Sequence, residues 1–206
     1  TQERVQMLEK LKRLSITDGL TKLYNSRYFY NQLKIEIDRT TRYQRPLSLL
    51  LLDIDNFKEY NDIYGFLMGD EMIRMTASVL SECFDPPEMQ ARIGHIGGDD
   101  FVVVARRVLP DSVLENACML FDNRKIDLFN PEHREAGGFF TVNRAHEPVF
   151  VRLTTIALAV IDSDHVESIS HLALLSEIAA SLKKTAKETS ARVGRSAFIR
   201  ERRQQE

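Results

Sequence analysis

Sulfur and imidazole chemistry have little to work with in this sequence. Cys83 and Cys118 are its only cysteines and lack metal-ligand spacing, so both read as core or surface thiols of a reduced compartment. The five histidines (His95, His133, His146, His165 and His171) are scattered and form no HExxH pattern, which argues against a zinc site. Long apolar runs are missing too. "LSLLLL" and "IALAVI" are far too short to cross a bilayer, and the charged stretch Thr1 to Arg13 has no apolar block of the signal-peptide kind. Net charge is only −2, so there is no polycationic surface for holding nucleic acid by counterion release. Internal repeats, low-complexity tracts and obvious linkers are absent. The expectation is a cytoplasmic domain with no nucleic-acid partner and no membrane contact through this segment.

What is present fits one full core: 206 residues, 43% hydrophobic and 28% charged. Glu3 to Ser15 reads as a helix, with Val5, Leu8, Leu11 and Leu14 on one side. That face belongs either to a coiled-coil stub (residues 1–15, a connector) or to a helix packed on its own domain (residues 16–206). Ser26 to Tyr43 follows as a helix through Phe29, Leu33 and Ile37, stopped by Pro46. "LSLLLLDID" has the form of a strand buried on both faces. Helices are expected from Phe57, from Gly69 to Cys83 and from Asp111 to Phe129. "QARIGHI" and "FVVVARR" flank a Gly-Gly-Asp-Asp turn as a hairpin. Phe139 to Thr141 and Val151 to Ile161 read as strands joined by a polar loop, His171 to Ala186 as a last helix, and "SAFIRERR" as an edge strand or tail. Interleaved helices and strands around one hairpin give an α/β (α+β) class: a mixed sheet with a central antiparallel hairpin and helices on both faces.

Two acidic pairs stand at the ends of apolar strands, Asp53 with Asp55 and Asp99 with Asp100. Each alone is a turn or strand-end feature, since Gly and Asp serve turns for backbone reasons. Together, on neighbouring strands, they would bring oxygen ligands over one sheet edge, as a hard divalent ion bound to substrate phosphates requires.

"ITDGLTKLYNSRYF", "LLLLDIDNFKEYNDIYGFLMGD" and "GGDDF" occur in the motif order of the GGDEF domain family, the diguanylate cyclases, and the chain resembles that family from Leu14 to Phe198. The resemblance implies a nucleotidyl-cyclase, palm-like fold. It implies Mg²⁺ or Mn²⁺ held by Asp53, the Ile54 carbonyl and Asp100, with Asp99 assisting deprotonation of the ribose 3′-hydroxyl. Asn61 and Asp70 would read guanine, whose N1–H and N2–H₂ donors suit a carboxylate. Lys58 and the loop from Asp55 to Phe57 would meet the β- and γ-phosphates, with Lys187 and either Arg195 or Arg192 adding charge from the C-terminal side. Gly97 and Gly98 would let the hairpin backbone approach the nucleotide. The implied partners are GTP, a second copy of the chain, and a sensory or receiver module ahead of it.

Departures accompany the match. Asp100 stands where the family usually has Glu, withdrawing the carboxylate by one bond, roughly 1.5 Å. His95 stands for a common Arg, Phe66 for a frequent His, and the product-inhibition Arg-x-x-Asp is absent at Glu88 to Ala91. Asn130 to Pro148 is longer than the usual connection. The reading is therefore a diguanylate cyclase, with a silent GTP-binding regulatory domain as the alternative.

Overall fold

The computed structural model describes residues 2–143, 145–163 and 172–201. Its principal elements are α1 (Gln2–Ile16), β1 (Tyr24–Asn25), α2 (Ser26–Tyr43), β2 (Ser48–Asp55), α3 (Phe57–Tyr64), α4 (Phe66–Phe84), β3 (Ala91–Gly97), β4 (Asp100–Ala105), α5 (Asp111–Arg124), α6 (Pro131–Ala136), β5 (Gly138–Val142), β6 (Pro148–Arg152), β7 (Thr155–Asp162), α7 (Leu172–Val193) and β8 (Ala197–Arg200). Six strands form a mixed sheet in the order β1-β3-β4-β2-β7-β8, while β5 and β6 form a separate two-stranded sheet. β2 lies at the centre, antiparallel to both β4 and β7, whereas the outer pairs β1–β3 and β7–β8 are parallel.

The period-two alternation of β2 decides what its acids face. Leu50, Leu52 and Ile54 join one apolar cluster with Met72 and Leu80 of α4 and with Leu114 and Phe121 of α5. Leu49 joins another with Phe29, Leu33 and Ile37 of α2, against which Leu51 and Leu182 of α7 also pack. Asp53 and Asp55 continue the odd-numbered series and so fall on the α7 side. β4 obeys the same rule: Val102 and Val104 lie on that side, which carries Asp100 there as well.

One ion pair at the opposite end of this layer locks α2 to the sheet. Glu36 is 1% exposed, and its carboxylate accepts from Arg106 Nη2 at 2.6 Å and from Arg39 Nε at 3.0 Å. Burial pushes this carboxyl up, but the bonds from Arg106 and Arg39 outweigh it and hold the group below the usual glutamate range. Arg106→Ala would strand the buried acid. Because Arg106 is itself partly exposed, the expected loss is about 2 kcal/mol rather than the full cost of breaking a dry pair. Above the ordinary glutamate range Glu36 is ionised folded and unfolded, and the pair contributes fully. That contribution disappears as pH falls through the range toward the depressed folded value. Urea melts from pH 7 downward should accordingly show a shallower acid limb for the variant than for the parent chain.

The structure redraws four sequence expectations. α4 begins at Phe66 rather than Gly69, because Gly65, at φ 82°, makes the corner and Gly69 lies inside the helix. The apolar stretch Val151 to Ile161 is not one strand: Val151 and Arg152 pair with β5, and the chain changes sheets at Leu153 and Thr154. Within Asn130 to Pro148 lies a helix, α6, in place of a simple loop. Asn130 caps it by accepting from the His133 N–H at 2.8 Å, Pro131 occupies its first turn, and Gly137 ends it in the left-handed region. After Arg124 the chain continues as a 3₁₀ turn over Lys125–Leu128 instead of an α-helix to Phe129. His165, His171 (the expected start of the last helix) and the end of "SAFIRERR" beyond Glu201 lie outside the described residues. Val5, Leu8, Leu11 and Leu14 of α1 are all exposed, so none of these four is buried against the rest of the described residues. No described helix is long and apolar enough to cross a membrane.

Candidate active site

The antiparallel register of β2 and β4 sets Asp53 directly opposite Asp100. The turn between β3 and β4 then folds Asp99 over the same edge, and the Ile54 N–H donates to the Asp99 carbonyl at 3.3 Å. Gly98 sits at φ 57°, where a side chain would be strained, and both Gly97 and Gly98 are exposed. Ligand oxygens of Asp53, Asp99 and Asp100 all lie within 4.8 Å of one another. The shorter Asp100 therefore still reaches the cluster.

Two lysines of α7 neutralise these acids. Lys183 Nζ donates to Asp100 Oδ1 and lies 3.2 Å from Asp53 Oδ2, while Lys187 Nζ lies 2.6 Å from Asp53 Oδ1 without hydrogen-bond alignment. Burial lowers the Lys183 pKa, but the bond to Asp100 and the charges of Asp100 and Asp53 outweigh it and raise the group. Asp99 is raised by burial and by the charge of Asp53. Asp55 is also raised, mainly by burial, and its Oδ2 accepts from Ser190 Oγ and from Thr155 Oγ1 at 2.8 Å. Asp55 therefore braces α7 against the sheet and stands outside the carboxylate cluster. Three carboxylates, one of them with a buried oxygen (Asp53 Oδ1) that lacks a hydrogen bond, form an all-oxygen donor set. This set fits a hard divalent cation.

The remaining sequence candidates spread along the same rim. Phe57 is buried in the main core, so only its backbone is available to a ligand, and Lys58 is exposed in the first turn of α3. Asn61 and Asp70 sit on either side of the α3–α4 corner, where Asn61 Oδ1 is buried and has no hydrogen-bond partner. A Cβ added at Gly69 would come within 1.8 Å of that oxygen, so the glycine exists to let the Asn61 amide lie against α4. Lys187 joins the cluster. Arg195 does not: it lines a separate cavity of about 770 Å³ with Cys118, Met119 and Asp122 of α5, and Arg192 is exposed.

Lys183 escaped the sequence reading, although Lys183, Lys187 and Ser190 fall on one helical face at spacings of four and three. His95, which stands in place of the family's common Arg, is buried, stacks on Phe101 at 4.7 Å, and places Nε2 3.0 Å from the Gly98 carbonyl and Nδ1 3.1 Å from Asp18 Oδ1. Asp18 in turn accepts from the Thr21 N–H and hydroxyl at 2.8 Å each, so the loop after α1 supports the Gly-Gly-Asp-Asp turn.

The family model described as "Diguanylate cyclase, GGDEF domain" matches residues 15–138. The chain belongs to the GGDEF family. Response regulator PleD of Caulobacter vibrioides is 33% identical over 141 residues, which is 68% of this chain and 28% of that protein. The probable diguanylate cyclase DgcC of Escherichia coli is 37% identical over 95 residues, 46% of this chain and 25% of its own length. The chain thus spans about a quarter of the length of these curated relatives. Among solved structures, the coiled coil and GGDEF domain of DgcB from Caulobacter crescentus, in complex with c-di-GMP, superposes with a TM-score of 0.64. It covers 97% of this chain and 93% of that one at 24% identity. Diguanylate cyclase SiaD from Pseudomonas aeruginosa, solved with its activator SiaC, gives a TM-score of 0.61 over 97% of this chain and 67% of that one at 22% identity. These two likenesses establish the fold.

Proposed function

We propose that this GGDEF domain is a diguanylate cyclase, which condenses two GTP into cyclic di-GMP and releases two pyrophosphates as part of a bacterial signalling protein. The observation that carries the reading is the convergence of Asp53, Asp99 and Asp100, with Asp53 and Asp100 directly opposite each other across β2 and β4. It weighs against the silent-domain alternative, which rested on the shortened Asp100, on His95 and on the long Asn130 to Pro148 stretch, because Asp100 stands within the cluster.

Asp53, Asp100 and the Ile54 carbonyl would hold Mg²⁺ or Mn²⁺, which when bound neutralises triphosphate charge. Asn61 and Asp70 orient the guanine from the α3–α4 corner. The buried, unpaired Asn61 Oδ1 supplies an acceptor that a base donor would satisfy. Lys58, the Asn56–Phe57 backbone and Lys187 meet the phosphates. Asp99, whose raised pKa favours taking up a proton, accepts the 3′-hydroxyl proton as the 3′-oxygen bonds to the α-phosphorus of the other GTP and pyrophosphate leaves. Lys183 then offers a cation beside the two carboxylates. Catalysis is mostly positioning and charge neutralisation.

Each site supplies half of the reacting pair, so two copies must face one another. The exposed Val5, Leu8, Leu11 and Leu14 of α1 support pairing through residues 1–15 as a connector, with residues 16–206 as the cyclase domain and an input module ahead of it. GTP as substrate puts the reaction in the cytoplasm. The test is pyrophosphate release from GTP and Mg²⁺ across a dilution series. The rate per chain should rise with chain concentration; GTP that is bound but left intact at every concentration would favour a silent domain.

A further inference from the structure

Beside the carboxylate cluster lies a cavity of about 450 Å³, walled by Asn56 and Lys187, already given to the phosphates above, and by Asp55, Arg152, Ser190 and Gly194 among others. Lys187 belongs to both places, since its Nζ is 2.6 Å from Asp53 Oδ1, so the cavity opens directly from the proposed catalytic edge. Its other cation is Arg152, the last residue of β6. Among the described residues no carboxylate pairs with Arg152, whose Nη1 donates only to the Ala191 carbonyl at 3.2 Å. The one acid in the wall is already engaged, because Asp55 Oδ2 accepts from both Thr155 and Ser190. The Arg152 backbone is fixed in turn by Asn56 Nδ2, which donates to its carbonyl at 3.2 Å. A solvent-exposed guanidinium without a carboxylate partner and the Lys187 ammonium, shared with Asp53, face one cavity at the end of β2 and suit a multiply charged anion.

We infer that Arg152 is a substrate-binding residue that grips the terminal phosphates of GTP. The inference rests on the nucleotide reading above and adds a contact made from β6, outside the stretch matched by the family model. An α-phosphate held over Asp53 and Asp100 directs the β- and γ-phosphates past Lys187 into this cavity. There the planar guanidinium offers two parallel N–H donors to one phosphate while keeping its bond to Ala191. Lysine at the same position would keep the charge and lose the fork. The position was invisible in the sequence because Arg152 lies in an apolar run and reaches α7 only through the change of sheet at Leu153.

The test is equilibrium binding, in the presence of Mg²⁺, of a non-hydrolysable GTP analogue and of guanosine to the parent chain, Arg152→Ala, Arg152→Lys and Arg195→Ala. Arg152→Ala should bind the triphosphate roughly tenfold to a hundredfold more weakly, with Arg152→Lys between it and the parent. Both should bind guanosine as the parent does, which also verifies that they fold. Equal weakening toward guanosine would make Arg152 a structural residue and overturn the inference, as would parental triphosphate affinity in Arg152→Ala or a loss confined to Arg195→Ala. A parent chain that binds guanosine and the triphosphate equally would overturn it as well. No triphosphate binding and no guanosine binding by the parent would instead remove the GTP reading itself, and this inference with it.

Discussion

Asp53→Asn is expected to lower cyclic dinucleotide formation by roughly a thousandfold and to remove divalent-ion binding along with it. Asp53 is 5% exposed and lies at the meeting point of the cluster, opposite Asp100 on β4 and facing Lys183 and Lys187 on α7. Asparagine preserves its shape but removes the charge that both the cation and the two lysines require. The lysines are partly exposed and can turn to water, so the fold should survive: the expected cost is about 1 kcal/mol, in line with ion pairs open to solvent. The two effects separate in experiment. Mn²⁺ binding followed by electron spin resonance, beside a thermal melt, should show a lost ion and a retained transition. Undiminished Mn²⁺ binding by a folded Asp53→Asn chain would mean that the ion sits elsewhere.

The second large effect concerns a residue with no side chain. Gly→Ala inside a helix ordinarily stabilises by about 0.5–1 kcal/mol. At Gly69 the sign should reverse, because the new methyl would stand 1.8 Å from Asn61 Oδ1 and 2.9 Å from its Cγ. Helix α4 is packed through Met72 and Ile73 into the core and cannot back away, so the Asn61 amide must rotate out. We expect about 1–3 kcal/mol of lost stability from the overpacking. Affinity for GTP should fall on the order of a hundredfold, as a buried acceptor is taken from the guanine. Discrimination between GTP and ATP should fall with it. Gly19→Ala is the natural comparison: a methyl there meets nothing within 4 Å, and stability and affinity should be unchanged. Competition binding of the two nucleotides to both variants would check the claim. A Gly69→Ala chain with parental guanine preference would show that Asn61 does not read the base.

The parts of this molecule that were legible in the sequence are those encoded by local pattern. The apolar run Leu49–Leu52 has the form of a strand buried on both faces, with Asp53 and Asp55 at its end, and the structure bears out that strand. The Gly-Gly-Asp-Asp turn between two apolar runs marks the hairpin, and pairing the hairpin with that strand brings the acids together. What escaped depends on where distant segments meet. Nothing in the run Val151 to Ile161 announces that two residues pair with β5 and the rest with β2, since both strands share one apolar composition. Arg152 consequently had no assigned surroundings. Lys183 was readable in principle from its spacing to Lys187, yet its importance comes from the packing of α7 over β2 and β7, which no local signal records. The helix Pro131–Ala136 is the reverse case. Its Asn-Pro start and Gly end were in plain view, but six residues between turn signals resemble a loop until the His133 ring packs on Tyr64 and Phe139.

The shortened aspartate of Gly-Gly-Asp-Asp-Phe was plain from the sequence, whereas its nearness to Asp53 and Asp99, with ligand oxygens within 4.8 Å of one another, comes from tertiary geometry. The account as a whole therefore stands on whether this turn supports chemistry. The most direct measurement is chromatography with mass detection of the nucleotides formed when the chain, at high concentration, is incubated with GTP and Mg²⁺, alongside Asp53→Asn. The account predicts cyclic di-GMP and two pyrophosphates per molecule of it from the parent chain and neither from the variant. Unchanged GTP from both, or a cyclic product from both alike, would contradict it.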